Sequence, residues 1–234
     1  YIDIIYAYIE IRGGIKMEEN TEKKGTTEEL KTEASSTVNQ VKETIKKVDI
    51  KKDSIETKGF IKEMFKDPLG KIQEIVTKDT GKVLTYSIII LLINAIASII
   101  KYGSLTSIFS NIWSIVLAII TPIVGILAMS IIIYAMNKEN KKSLLTIMTA
   151  ITVASIPSAI ASVIGLLTII SSGISVITFA ISGFCSVIEI ILMYFAIKAI
   201  FGTEKNSEFI KTFVKVYGIY YIISIIVGLL GINI

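Results

Sequence analysis

The run that decides the fold is "ISVITFAISGFCSVIEIILMYFAIKAIF" at positions 174–201. It carries only two charged residues, Glu189 and Lys198, and is longer than the roughly 20 apolar residues that a helix needs to cross a bilayer. The whole chain is 52% hydrophobic and only 19% charged, with a mean hydropathy of +0.68. A soluble domain of this length would carry more charge. The run therefore predicts a transmembrane helix.

Similar apolar runs lie on both sides of it, and "SSG" at 171–173 is the best break in the long run that begins at Leu144. We predict five transmembrane helices, at about 83–100, 112–136, 144–167, 174–201 and 212–232. The predicted fold class is all-α: a polytopic membrane bundle of five transmembrane helices with a mostly disordered cytoplasmic N-terminal tail.

The lysines support this division, because lysine-rich and lysine-poor connections alternate along the chain. The rich connections precede the first span, join the second to the third, and join the fourth to the fifth. The positive-inside rule then predicts a multi-pass protein of the cell membrane, with the N-terminus cytoplasmic and the C-terminus extracytoplasmic.

Three segments precede the membrane domain at 83–234. Residues 1–16 are predicted to be translated leader, because Arg12-Gly13-Gly14 can encode a ribosome-binding sequence just before the first methionine, Met17. An authentic N-terminal strand is the alternative. Residues 17–57 have the composition of a charged, disordered cytoplasmic tail. Within it, Val38, Val41, Ile45 and Val48 follow the spacing of a coiled coil or a transient amphipathic helix.

The third segment, 58–82, contains "GFIKEMFKDPLGKIQEIV" and is predicted to be an amphipathic juxtamembrane helix. Apolar residues share one side with lysines available to the other, which is typical of a helix lying among lipid headgroups. Phe60, Lys62, Phe65 and Lys66 are the predicted membrane-surface contacts. Packing of this segment on its own domain is the alternative.

Glu189 is the strongest candidate for a functional residue. It lies about 18 Å along the helix from Phe201, near the midplane of the predicted membrane. A carboxylate there must be protonated or paired. We predict an intramembrane polar pair with Asn94, which could bind a proton or cation. The alternative is a structural hydrogen bond from Glu189 to Asn94 or to a Ser or Thr hydroxyl.

Two prolines, Pro122 and Pro157, are predicted to kink the second and third spans. Around Pro157, small residues repeat at four-residue spacing, as in Ala154, Ser158 and Ser162, which is typical of close helix packing.

Several classes of site are not expected. The chain has no histidine and one cysteine, Cys185, so disulfides, zinc sites and Ser-His-Asp triads are excluded. No phosphate-binding or dinucleotide motif occurs. We therefore expect no catalytic residues, metal or cofactor. The lysines lack arginine and an aromatic platform beside them, so no nucleic-acid partner is expected.

The order of parts resembles the Yip1-domain family of five-span membrane proteins. The resemblance is carried by "FIKEMFKDPLGKI" before the first span, "TAITVASIPSAIASVIG" in the third, and "EIILMYFAIKAIFGTEKNSEFIKTFVKVYGIYYII" at the last two. It covers roughly 60–234 and implies a bacterial-type, non-enzymatic scaffold or adaptor at the cytoplasmic membrane.

The expected partners are the lipid bilayer and a membrane or cytoplasmic protein that binds through residues 17–82. A small transporter or permease that uses the intramembrane carboxylate is the competing hypothesis, and a membrane-active peptide or immunity partner is a third. The oligomeric state is left open.

Overall fold

The computed structural model describes residues 22–77, 81–105, 112–137, 140, 142–170, 172–202 and 206–229. All regular structure in these ranges is helical, with no strand. The predicted leader at 1–16 lies outside the described residues. The helices are α1 (Glu22–Lys47), α2 (Ile50–Lys66), α3 (Pro68–Thr77), α4 (Gly81–Leu105), α5 (Ile112–Met136), α6 (Leu144–Ala154), α7 (Ile156–Gly165), α8 (Leu167–Ile170), α9 (Ser175–Phe201) and α10 (Asn206–Leu229), with a 3-10 turn at Ser172–Ile174.

The chain divides into two compact units, 1–39 and 40–234. The first contains the described part of the chain up to residue 39, which belongs to α1. The second contains the end of α1 and all later helices.

The predicted disorder of 17–57 is not confirmed, because the described part of this segment is helical. The side chains of Val38 and Ile45 are exposed, whereas Val41 and Val48 are half-buried. The end of α1 is followed at once by Asp49, whose carboxylate accepts hydrogen bonds from the backbone amides of the first turn of α2. Such an N-cap fixes where the next helix begins.

Two helices in the described ranges are long and apolar enough to cross a membrane: α5, over Ile119–Met136, and α9. The pair Leu144–Ala154 and Ile156–Ile169 would be a third if it forms one span, and it is bent by 44° at its break. The apolar part of α4 is shorter, Val83–Ala97. The described ranges are thus all-helical and contain two or three candidate membrane-spanning helices.

The break in the third candidate lies beside Pro157. α6 ends at Ala154, and α7 begins at Ile156, so the proline occupies the second position of the new helix. Proline has no amide hydrogen and clashes with the carbonyl four residues earlier, which ends a regular helix. By contrast, α5 continues as one helix through Pro122.

The core of the second unit forms where α6, α7 and α9 meet, with α3, α4 and α5 packed against them. Several core side chains are small, which lets the helix backbones approach closely. Those with almost no exposed surface are Ala150, Ala154 and Ala196, together with Ile147, Ile151, Ile197 and Ile200.

Two asparagines tie the connection between α5 and α6 to the end of α9. The amide of Asn137, which is buried, donates to the carbonyl oxygen of Ile200 at 3.3 Å, and the amide of Asn140 donates to that of Phe201. The last carbonyls of a helix have no partner within it, so these amides satisfy otherwise free acceptors. Gly202 completes the cap with φ +62°, and a Cβ there would lie 3.0 Å from Asn140 Nδ2. We call this group the asparagine clamp.

An aromatic ladder joins α9 to α10. Tyr194 of α9 packs edge-on against Phe209 and Phe213 of α10, with ring centroids 4.9 and 5.3 Å apart. The ladder continues along α10 through Tyr217 and Tyr221. Edge-to-face aromatic pairs of this kind contribute about 0.5–1.5 kcal/mol beyond their buried area.

Candidate functional site

The carboxylate of Glu189 on α9 is hydrogen-bonded to the hydroxyl of Ser158 on α7. Both side chains are half-buried. Ser158 follows Pro157 directly, so the break that starts α7 also sets the position of this hydroxyl. The bond crosses between the two helices that make the most extensive contact in the described bundle.

The predicted pair of Glu189 and Asn94 is not formed in the described structure. Asn94 lies half-buried on α4, and its side chain makes no hydrogen bond to any described residue. The physical reason is the order of helices: α7 packs on both α4 and α9, whereas α4 and α9 share no substantial contact. The alternative of a Ser hydroxyl bonded to Glu189 describes the geometry better.

Two tyrosines of α10 extend this polar group. Tyr217 and Tyr220 lie near Glu189, and both are half-buried against the core of the second unit. The hydroxyl of Tyr220 also approaches α5, where a Cβ on Gly125 would lie 3.2 Å from it. We call Glu189, Ser158, Tyr217 and Tyr220 the Glu189 cluster; it contains side chains of α7, α9 and α10.

The sequence contained a signal for part of this cluster. Tyr217 and Tyr220 are three residues apart, which places both on one face of a helix, and Ser158 belongs to the small-residue pattern around Pro157. What was missing was the pairing of α7 and α10 with α9, which is a tertiary property.

The chemistry open to the Glu189 cluster is narrow. The carboxylate and the one hydroxyl bonded to it can hold a proton, but they offer few ligands to a metal ion. In the described ranges, no group of three or more His, Cys, Asp or Glu side chains comes together.

The described part of the segment predicted to be one juxtamembrane helix belongs to two helices, α2 and α3, that pack on the rest of the second unit. Phe60 is buried against the ring of Tyr86 on α4, at 5.0 Å between centroids, and Met64 beside it is 1% exposed. The hydroxyl of Tyr86 donates to Glu56 at 3.3 Å. Phe60 is therefore an intramolecular contact and not, in this arrangement, a membrane-surface residue.

The other three predicted surface residues are exposed. Lys62 and Lys66 lie on the outer face of α2, and Phe65 is 48% exposed beside them. The expectation that Phe60 and Phe65 share one apolar side fails because their positions are five residues apart, about 140° around a helix.

A corner between α2 and α3 is held by charge. The ammonium of Lys71 lies 2.7 Å from the carboxylate of Glu63 and 3.4 Å from that of Glu74. The hydrogen bond that Lys71 donates to Glu63 is the largest of the effects that raise the pKa of Lys71 above its ordinary value of 10.5. Asp67 contributes to the same corner by accepting a hydrogen bond from the amide of Gly70 at 2.9 Å.

Comparison with known proteins adds no relative: no family model, no curated protein and no solved structure matches this chain.

Proposed function

We propose that this chain is an integral protein of the bacterial cytoplasmic membrane, of the Yip1-like type, that acts as a non-enzymatic scaffold or adaptor. In this proposal it crosses the membrane five times, through α4, α5, the α6–α7 pair, α9 and α10. Its N-terminal helices lie in the cytoplasm, where they bind a membrane or cytoplasmic protein.

The closed interior at α6, α7 and α9 is the observation that carries the scaffold reading. A transport path needs polar groups facing a hydrated crevice. Here alanine and isoleucine side chains fill the contact between these helices, and the carboxylate of Glu189 is engaged by Ser158. This arrangement favours a bundle built to hold its shape.

The asparagine clamp supports the proposed number of crossings. Asn137, directly after α5, and Asn140, just before α6, both contact the last turn of α9, so α5 ends and α6 begins at the same end of the bundle as α9 ends. If α9 crosses the membrane, the α6–α7 pair must also cross. The depth of the Glu189–Ser158 bond agrees: Ser158 lies about 21 Å along from the start of α6, and Glu189 about 18 Å from the end of α9.

The lysine distribution supports the orientation. The two connections that the clamp brings together, after α5 and after α9, are both lysine-rich in sequence. A shared cytoplasmic side for these two connections is what the positive-inside rule expects.

A recruitment experiment tests the scaffold function. A photo-crosslinking residue placed at Val38 or at Ile45, both exposed on α1, should capture the same protein in native membranes. Capture should be kept in the Glu189→Gln variant, because that substitution lies outside α1. The control is a crosslinker at Phe179, an exposed residue of α9 that would face lipid, which should not capture that protein.

The competing function, a small transporter, is favoured by one observation: a half-buried carboxylate on an otherwise apolar helix. Purified protein in sealed vesicles separates the two. The scaffold proposal expects proton permeability equal to that of empty vesicles. A proton flux that Glu189→Gln abolishes, with expression and assembly unchanged, would overturn it.

A further inference from the structure

The outer face of α2 carries a line of four lysines with one isoleucine among them. Lys51, Ile55, Lys58, Lys62 and Lys66 follow each other at intervals of four, three, four and four residues. At about 100° per residue they fall within roughly 80° of the helix circumference. All five are exposed, and we call them the basic stripe.

The charges of α2 are sorted by side. The four lysines of the basic stripe form no ion pair with any described residue. The carboxylates lie around the helix from them and have partners: Glu56 accepts from Tyr86, and Glu63 binds Lys71. A helix whose surface served only solubility would mix both signs on its exposed face. Here that face is uniformly positive.

Two large apolar side chains lie within or beside these lysines. Ile55 is 75% exposed in the middle of the basic stripe, and Phe65 is 48% exposed at its edge. An exposed apolar side chain between lysines is typical of helices that lie in the membrane interface, where it enters the acyl boundary while the ammonium groups contact headgroups.

The opposite side of α2 is fixed, so the outer face has a defined direction. Phe60 and Met64 are buried, and the ring of Phe60 packs on Tyr86. Tyr86 lies only three residues into Val83–Ala97, the apolar part of α4. α2 is thus held beside the end of α4 at which that helix would enter the membrane.

We infer that the basic stripe and Phe65 form a docking surface for anionic phospholipid headgroups of the membrane that holds the bundle. The inference rests on the proposed function, since it takes α4 to be a membrane span. In the docked state, α2 would contact lipid on one side and α4 on the other.

The expected strength follows from the number of lysines. A basic residue near an anionic leaflet contributes about 1 kcal/mol, which is about fivefold in an equilibrium constant. Removing three of the four lysines should therefore lower the docking constant about a hundredfold. Added salt should weaken docking, because mobile ions screen the attraction between exposed lysines and the charged headgroups.

The test uses the full chain with a single label. In a Cys185→Ala background, Ile55→Cys carries a polarity-sensitive fluorophore, and the protein is placed in nanodiscs of phosphatidylcholine alone or with added phosphatidylglycerol. The label should report an apolar environment only when phosphatidylglycerol is present. The combined variant Lys58→Gln, Lys62→Gln and Lys66→Gln should abolish this change.

The matched control removes the same charge from α1, with Lys42→Gln, Lys46→Gln and Lys47→Gln, and should leave the change intact. A label that stays in water in both nanodiscs overturns the docking surface and leaves the membrane proposal standing. A label that is equally covered in both lipids, whatever the lysines, overturns it in favour of a protein contact. A chain that does not enter nanodiscs overturns the proposed function and this inference together.

Discussion

The hydrogen bond between Ser158 and Glu189 provides a test of how the bundle is held together. It joins α7 to α9, and no other described side chain is hydrogen-bonded to the carboxylate of Glu189. Ser158→Ala removes the donor and leaves the carboxylate half-buried with one partner fewer. Glu189→Leu removes the acceptor and replaces it with an apolar side chain of similar size.

The expected change in the free energy of unfolding follows from the burial and hydrogen bonding of the pair. Ser158→Ala alone should lower the free energy of unfolding by about 1–3 kcal/mol, the range for leaving a partly buried polar group without its partner. The coupling between the two substitutions should be about 0.6–1.7 kcal/mol, as measured for hydrogen bonds between membrane helices. In the Glu189→Leu background, Ser158→Ala should therefore cost less.

The assay is unfolding by sodium dodecyl sulfate in mixed micelles, followed by circular dichroism, on the wild type, both single variants and the double variant. Ser162→Ala is the matched control: its hydroxyl donates to the carbonyl of Ser158 within α7, at 3.0 Å, so it should not couple to Glu189. A coupling below about 0.3 kcal/mol for Ser158 and Glu189 would refute the proposed tie, because independent sites add within that margin.

Three further predictions follow from the described contacts. Gly202→Ala should destabilise the protein by about 1–2 kcal/mol, because a residue with a side chain must then adopt a left-handed backbone conformation. Gly218→Ala is the control and should have no such effect, because its Cβ would meet open space. Thermal unfolding in detergent compares the two variants. Because the pKa of Lys71 is raised, its ion pair should contribute in full below pH 10.5 and be lost as the pH rises through the raised value. Lys71→Met should flatten that dependence, and an unchanged slope would contradict the assignment. Cysteines at Ser207 and Asn233 should react with an impermeant thiol reagent from opposite sides of the membrane, and labelling of both from one side would show that α10 does not cross.

Much of the helical pattern could be predicted from local sequence. The predicted segment 112–136 coincides with α5, and 174–201 differs from α9 by one residue at its start. These boundaries are set by neighbours that stop helices, such as Gly202, whose positive φ suits a residue without a side chain. Apolar composition and terminating residues are both readable along the chain.

The parts that could not be predicted depend on which helices meet. Asn94 and Glu189 both lie well inside their predicted spans, but α7 lies against both of their helices, so Ser158 reaches the carboxylate instead. Phe60 was expected to face lipid, yet the ring of Tyr86 covers it. The predicted disorder of 17–57 rested on composition, and for the residues from Ile50 onward composition does not register that α2 gains stability by packing on α4.

If α10 crosses the membrane as proposed, the aromatic ladder has a consequence for the biogenesis of the protein. α10 carries Lys211 and Lys215 in its first half, and such residues make a helix costly to release from the translocon into lipid on its own. The rings of Phe209 and Phe213 meet Tyr194 along this same half. Since α9 is synthesised first, it can present a ready-made partner while α10 is still emerging from the ribosome. Insertion of α10 into the membrane would then depend on its packing against α9 as well as on its own hydrophobicity.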